Sequence, residues 1–240
     1  MIALVNRVGH YVDIGRESFH ELSNLPHTIE TRNPGEEIVA IGERVEFVFV
    51  IESGWAIRYR LLQDGRRQII NYMLPGGCFD IMSMAAARSD HAVSAATEVR
   101  LRRIKSIDFL KAISNQPKLA TAFWWVAIQE EAVLREQIIR IGRRSAKERV
   151  AHLLLELNRR IAAVEGRHTD FINLPFPQSL FADSLGLSIV HVSRTLSKLK
   201  AEGFVRTSPD GIEILEREKM AKMCDFDSRY LHLEKLKLAA

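Results

Sequence analysis

The sequence predicts an α+β chain in three parts: a β-rich N-terminal half, one long helix, and a helical C-terminal region carrying a short hairpin. Three observations predict it. Between His27 and Ile104, β-branched and aromatic runs alternate with turn residues, as in a sandwich or barrel. From Pro117 to Ile141, apolar residues recur at helical spacing. From Gln178 to Ile214, the pattern reads helix, tight turn, helix, hairpin. Strands first and helices after are the mark of an α+β chain.

With 240 residues, the chain can hold one large domain or two ordinary ones. A hydrophobic share of 47% and a charged share of 27% are those of a soluble globular protein. No apolar run approaches the ~18 residues of a membrane span. Met1–Val5 is too short for a signal-peptide core. The expected compartment is therefore the cytoplasm, with no membrane partner. Cys78 and Cys224 lie far apart and lack metal-ligand spacing, so no metal site is expected. In a reducing compartment, each is expected to be a small buried hydrophobe rather than half of a disulfide. Residues 1–142 carry 17 basic and 17 acidic side chains, whereas residues 143–240 carry 17 and 13. The whole excess of positive charge lies in the second part, the sign a phosphate backbone attracts.

Met1 to about Pro26 shows mixed helical patterning. Asn33-Pro34-Gly35-Glu36 is a turn, and Phe47–Ile51 reads as a strand buried on both faces. Trp55–Leu61 alternates, and Asp64-Gly65 joins it to a partner strand, Gln68–Leu74. Pro75-Gly76-Gly77 breaks that strand. A helical piece near Ile81–Arg88 and strands near Val93–Ala96 and Val99–Ile104 follow.

Pro117 suits the first turn of a long helix ending near Ile141. Ala120, Trp124, Ala127, Glu131, Leu134, Ile138 and Ile141 are spaced 4, 3, 4, 3, 4, 3, a heptad seam suited to a second copy. Glu131 would meet its twin in a parallel pair. A second stripe of Trp125, Ile128, Ala132 and Ile139 is expected to cover the β domain. Ser145 with Glu148 forms a capping box for the next helix, which buries Val150, Leu153, Leu154, Leu157 and Ile161. The expected boundaries are 1–116 for a β domain with a helical N-terminal piece, 117–142 for the dimerisation helix, and 143–240 for the rest.

The helix-turn-helix begins at Gln178–Leu185. Gly186 supplies the turn, Ser188 the cap, and a second helix runs from Ile189 to about Glu202, where Gly203 stops it. Val192, Leu196 and Leu199 form its buried stripe. Ile189, Val190, Ser193, Arg194, Ser197 and Lys198 then point outward. Gly203–Thr207, the turn Ser208-Pro209-Asp210-Gly211 and Ile212–Ile214 add a wing. This is a winged helix-turn-helix, a module that sets its second helix into the DNA major groove. The charged tail beyond reads as helical, with Met220, Met223 and Phe226 packing and no function evident.

This order of parts, with Leu185-Gly186-Leu187-Ser188, Val192-Ser193-Arg194-Thr195-Leu196 and Glu202-Gly203, resembles the CRP/FNR family of bacterial transcription regulators. Glu52-Ser53-Gly54 and Leu74-Pro75-Gly76 resemble its β-domain turns, and Val190-His191-Val192 a branch common in α-proteobacteria. The resemblance implies a cyclic-nucleotide-binding-like β-roll (a jelly roll), the long dimerisation helix and the winged helix-turn-helix. It implies a homodimer that binds near-palindromic duplex promoter DNA, with RNA polymerase as a further partner if the regulator activates.

Carried over by position, Arg194, Ser193, Val190 and Ile189 are the expected base contacts, with Arg194 reading guanine in two-pronged fashion. Val190 stands where the family has a Glu, so a thymine methyl is its expected neighbour rather than cytosine. Gln178, Ser188, His191, Ser197, Lys198, Lys200 and Arg206 are the expected phosphate contacts. Gly76, Gly77, Asp80, Arg88 and Ser89 mark the effector pocket, if there is one. This stretch departs from the cyclic-AMP-responsive members: no Gly-Glu pair follows the Pro-Gly turn, and Asp90 and His91 follow Arg88-Ser89. A carboxylate there opposes a phosphate, and Arg88 is expected to pair with Asp90. Two distant cysteines do not suit an iron–sulfur cluster. Haem stays open through His10, His20, His27 and His91, and no cofactor is predicted. A cyclic-nucleotide sensor is the alternative within this fold. An enzyme is the alternative outside it, but the sequence holds no catalytic triad, His-x-x-x-His pair or phosphate-binding loop.

Overall fold

Strand β3 (Phe47–Ser53) organises the β-rich half, because its two faces enter two different cores. Val48 and Val50 point into one cluster, Phe49 and Ile51 into the other. Alternation along a strand requires this split once both faces are covered, which is the continuous apolar run expected of Phe47–Ile51. The computed structural model describes residues 2–44, 46–80, 88–167, 169–174 and 177–233.

Two four-stranded antiparallel sheets form the roll. The first orders β1 (His27–Arg32), β8 (Val99–Lys105), β3 and β6 (Cys78–Phe79) as β1-β8-β3-β6. The second orders β2 (Glu37–Val39), β7 (Ala92–Ala95), β4 (Ala56–Leu61) and β5 (Arg67–Met73) as β2-β7-β4-β5. Phe49, Ile51, Phe79, Val93, Val99 and Leu101 share one core, with Phe49 stacked on Phe79 at 5.2 Å between ring centroids. The turn before β4 admits only Gly54, at φ +81°, since a Cβ there would lie 2.0 Å from the Glu98 carbonyl. The Asp64-Gly65 hairpin forms as expected, between β4 and β5.

Two helices, α1 (Ile2–Tyr11) and α2 (Gly15–Ser23), precede the roll, and α3 (Ser106–Asn115) follows it. They pack Leu4, Val8, Leu22 and Phe109 with Val48, Val50, Leu119 and Phe123. The helical piece expected near Ile81–Arg88 falls on residues 81–87, outside the described residues.

Helix α4 runs Pro117–Arg143. Its buried face keeps part of the second stripe read in the sequence: Ala132 is buried, Ile128 is half-buried, and Trp125 packs against the cluster that holds Val48 and Val50. Leu119, Ala122, Phe123, Val126, Gln129, Ala132, Val133, Gln137 and Arg140 are buried, whereas Ile139 is exposed. The stripe fails only at its far end, because the buried positions beyond Val133 are taken by Gln137 and Arg140, and an apolar count passes to Ile139 instead. The seam is less ambiguous: Ala120, Trp124, Ala127 and Ile138 are exposed, and Leu134 and Ile141 half-buried. Glu131 is exposed and pairs with Arg135 one turn on.

The chain divides into two compact units: Met1–Tyr59 with Tyr72–Glu130, and Arg60–Asn71 with Glu131–His232. The division falls inside α4, and the hairpin tip between β4 and β5 belongs to the second unit. That unit is built on α5 (Ala146–Glu165), whose capping box at Ser145 and Glu148 is formed. Residues 150–158 of α5 are all buried, with Ile161 half-buried. Helix α6 (Gln178–Leu185), α7 (Ile189–Ala201), the sheet β10-β11-β9 (Val205–Ser208, Gly211–Ile214, Phe171–Asn173) and α8 (Arg217–Met223) complete it.

Candidate nucleic-acid interface

The interface is built from α6, its turn and α7. Gly186 closes α6 in the left-handed conformation at φ 62°, as the turn requires. Ser188 caps α7, its hydroxyl accepting from the His191 N–H at 3.2 Å. That hydroxyl was expected to touch a phosphate; its acceptor role here is internal, which leaves its proton for such a contact. Val192, Leu196 and Leu199 are buried as the spacing predicts, and Thr195 joins them by donating to the His191 carbonyl at 2.8 Å.

The opposite face of α7 is open. Ile189, Val190, His191, Ser193, Arg194, Ser197, Lys198 and Lys200 are all exposed. Helix α7 carries three cations, Arg194, Lys198 and Lys200, and no carboxylate. Gln178 is exposed at the start of α6. On the wing, Arg206 is exposed but pairs with Glu213 at 2.8 Å, so a phosphate contact would compete with that pair. The arrangement offers an amphipathic helix with apolar contacts at one end, a guanidinium in the middle and ammonium groups beyond. It can read base edges and neutralise phosphates.

Sequence reasoning missed what holds α6 in place. Gln137 of α4 donates to the Ser184 carbonyl at 2.6 Å. In the hairpin tip, Gln68 donates to the same carbonyl at 3.2 Å, and Arg67 pairs with Asp183 at 2.8 Å. The available signal is the polar pair Asp183-Ser184 directly after the apolar run Leu180–Ala182 and before the turn at Gly186.

It also missed a buried charged core. Arg140 and Glu156, each 2% exposed, form an ion pair. Arg140 also donates toward His152 Nδ1 at 3.3 Å, and His152 Nε2 lies 3.1 Å from Glu136 without hydrogen-bond alignment. The His152 ring, and then Arg144, hold Glu136 at about 2 against its burial. Burial, helped by Arg140 and Arg144, pushes His152 below its usual range.

The residues expected to mark an effector pocket lie in the other unit and are engaged internally. The Gly76 N–H donates to the Ile51 carbonyl at 2.8 Å, and the Gly77 N–H to Leu74 at 2.7 Å. Arg88 donates to the Gly42 carbonyl at 2.7 Å, not to Asp90 as expected. Asp90 instead takes His91 Nδ1 at 2.7 Å, because the ring stands between Asp90 and buried Asp80, 3.4 Å from its other nitrogen. The Ser89 hydroxyl donates to the His91 carbonyl at 2.8 Å. Cys78 and Cys224 are both buried and unbridged; burial raises both thiols, that of Cys224 to about 12.

Comparison with known proteins fits this geometry. Residues 148–223 match the model of the Crp-like helix-turn-helix domain, and residues 30–116 that of the cyclic nucleotide-binding domain. The transcriptional activatory protein AadR of Rhodopseudomonas palustris is 33% identical over 208 residues, 86% of this chain and 85% of the relative. The chain belongs to the CRP/FNR family. The nitrogen fixation regulation protein FixK of Bradyrhizobium diazoefficiens is 36% identical over 183 residues, 76% of each chain. The solved structure of FixK2 from Bradyrhizobium japonicum is similar at a TM-score of 0.74 and 30% identity, covering 82% of this chain and 97% of that one. This CRP/FNR regulator is therefore a DNA-binding transcription regulator of the α-proteobacterial group, built on the family's roll, long helix and helix-turn-helix. Among the described residues, no helix is long and apolar enough to cross a membrane.

Proposed function

We propose that this regulator works as a homodimer on near-palindromic promoter DNA in the cytoplasm. The dimer forms along α4, and α7 of each copy enters the major groove of one half-site. Residues 1–116, 117–142 and 143–240 then serve as sensor, dimerisation and DNA-binding segments. The observation that carries this reading is the open face of α7, where Ile189, Val190, Ser193 and Arg194 stand exposed opposite the buried stripe of Val192, Leu196 and Leu199. Arg194 contacts guanine, Val190 and Ile189 contact thymine methyl groups, and Ser193 bonds a base edge. Gln178, Ser188, His191, Ser197, Lys198, Lys200 and Arg206 hold the backbone. The exposed seam, with Trp124 71% and Ile138 68% open, supports a second copy there. Where the regulator activates, RNA polymerase is a further partner.

Selection from random duplexes tests this reading, followed by anisotropy titration of the enriched site over a salt series. A near-palindrome should emerge, with log affinity falling linearly in log salt. No enrichment, or an Arg194→Ala variant with unchanged site preference, refutes it.

The protein-internal bonds of Gly76, Gly77, Arg88 and Ser89 support a roll that takes no cyclic nucleotide, whatever other effector biases it. Heat released on titrating cyclic AMP or cyclic GMP, and lost in Arg88→Ala, would overturn that part.

A further inference from the structure

The Crp-like helix-turn-helix match ends at residue 223, yet the chain continues as a built element. Residues 224–232 turn back at Asp225, which takes a positive φ of 50°, and form a short 3-10 turn, Ser228–Leu231, capped by Asp227. Leu231 and Cys224 are buried. The segment lies against both α4 and α5. Arg144, just past the end of α4, donates to the carbonyls of Cys224 at 3.0 Å and Asp225 at 3.3 Å, and to Glu136 of α4 at 2.6 Å. Phe226 meets the buried His152 ring edge-on at 5.0 Å, and Tyr230 stacks on it at 6.0 Å and 18°. The Tyr230 hydroxyl donates to Glu156 at 2.8 Å, the same carboxylate that holds Arg140. Arg140 in turn grips Gln137, and Gln137 holds the Ser184 carbonyl at the end of α6.

The geometry points to residues 224–232 as a positioning strap for DNA recognition. The strap closes one continuous chain of contacts, from Tyr230 through Glu156, Arg140 and Gln137 to the end of α6. It thereby fixes the direction of the helix-turn-helix relative to the last turns of α4. A buried network of this kind is rigid only while every member is satisfied. Tyr230 and Phe226 touch no DNA in this scheme; they act through Arg140 and Gln137. In a dimer paired along α4, the strap sets the separation of the two α7 helices, and with it the half-site spacing the protein accepts. This inference rests on the dimeric reading above.

The test uses the full chain with Tyr230→Phe and Phe226→Leu, binding a panel of duplexes. In these duplexes the two half-sites stand at the selected spacing, or are moved by one or two base pairs either way. The wild type should prefer the selected spacing sharply. In both variants, the ratio of affinities between selected and shifted spacings should shrink by roughly tenfold, about what one hydrogen bond to a charged group is worth. Simple destabilisation would lower binding at every spacing alike and leave the ratio intact. Variants that fold by circular dichroism with the wild-type ratio overturn the strap. A wild type that binds no palindrome at any spacing removes the dimeric reading, and the strap with it. Tyr230→Phe deletes one oxygen and keeps the ring, so it keeps the test sound should Phe226→Leu fail to fold.

Discussion

Helix α7 and the last turns of α4 follow opposite rules. In α7 the apolar residues Val192, Leu196 and Leu199 are inside with Thr195, and the charged residues are outside. In α4 beyond Glu131, Gln137 and Arg140 are inside, while Ile138 and Ile139 are exposed. The difference teaches what each helix is packed against. The inner face of α7 is apolar but for Thr195, which bonds within the helix, and its outer face carries the polar side chains with Ile189 and Val190 at one end. The inner face of α4 meets carboxylates, a histidine and carbonyl groups supplied by α5, α6 and the tail. Its outer face exposes Ile138 and Ile139 beside the Glu131–Arg135 pair, and in the proposed dimer a second copy covers it. A polar group goes inside only where partners from elsewhere in the chain are already waiting.

The comparison breaks most sharply at Glu156. Glu156→Leu leaves Arg140 buried without its carboxylate and should cost about 3–5 kcal/mol of stability, read as a lower urea midpoint. A near-neutral result would mean that this core is not the ionic one described. The same core should make stability fall on acidification. Glu136 is held at about 2 in the fold against 4.5 unperturbed, so its contribution is complete above 4.5 and drains away as pH falls toward 2. His152, pushed below 6.5, takes its proton more readily when unfolded, so stability also declines from about pH 6.5 downward. Urea midpoints between pH 7.5 and 5 should drop in the wild type and flatten in His152→Gln.

On the other side of the comparison, Arg194→Ala should leave the urea midpoint within about 0.5 kcal/mol. It should cost about 1–3 kcal/mol of discrimination at one base pair, seen as relaxed preference there in a competition assay. Ser188→Ala removes the cap of α7 and should cost about 1 kcal/mol of stability. The smallest effect is expected at Lys198→Ala. Binding should weaken evenly across sequences, and the salt slope should fall by about 1. A loss confined to one base pair would move Lys198 from phosphate to base.

Much of the fold was legible in order. The bounds of α6, the glycine turn, the Ser188 cap, the buried stripe of α7 and the wing all follow from spacing and turn chemistry. The Phe47–Ile51 strand and the Asp64-Gly65 hairpin did as well. The buried face of α4 was not legible beyond Val133, because Gln137 and Arg140 take its positions. Nor was the partner of Arg88, since Gly42 lies far from it in sequence and only the sheet brings its carbonyl near. The tail shows no role in the sequence, because nothing in Phe226 or Tyr230 by itself announces a buried histidine to pack on.

By itself, the sequence determined the local elements and the outward face of α7. These depend on neighbours three or four residues away, which periodicity records. Only the tertiary structure decided which charges could be buried, what holds α6 at Ser184, and that residues 224–232 close on Glu156. Those outcomes turn on groups tens of residues apart meeting in one place, and a buried charge is tolerable only after they have met.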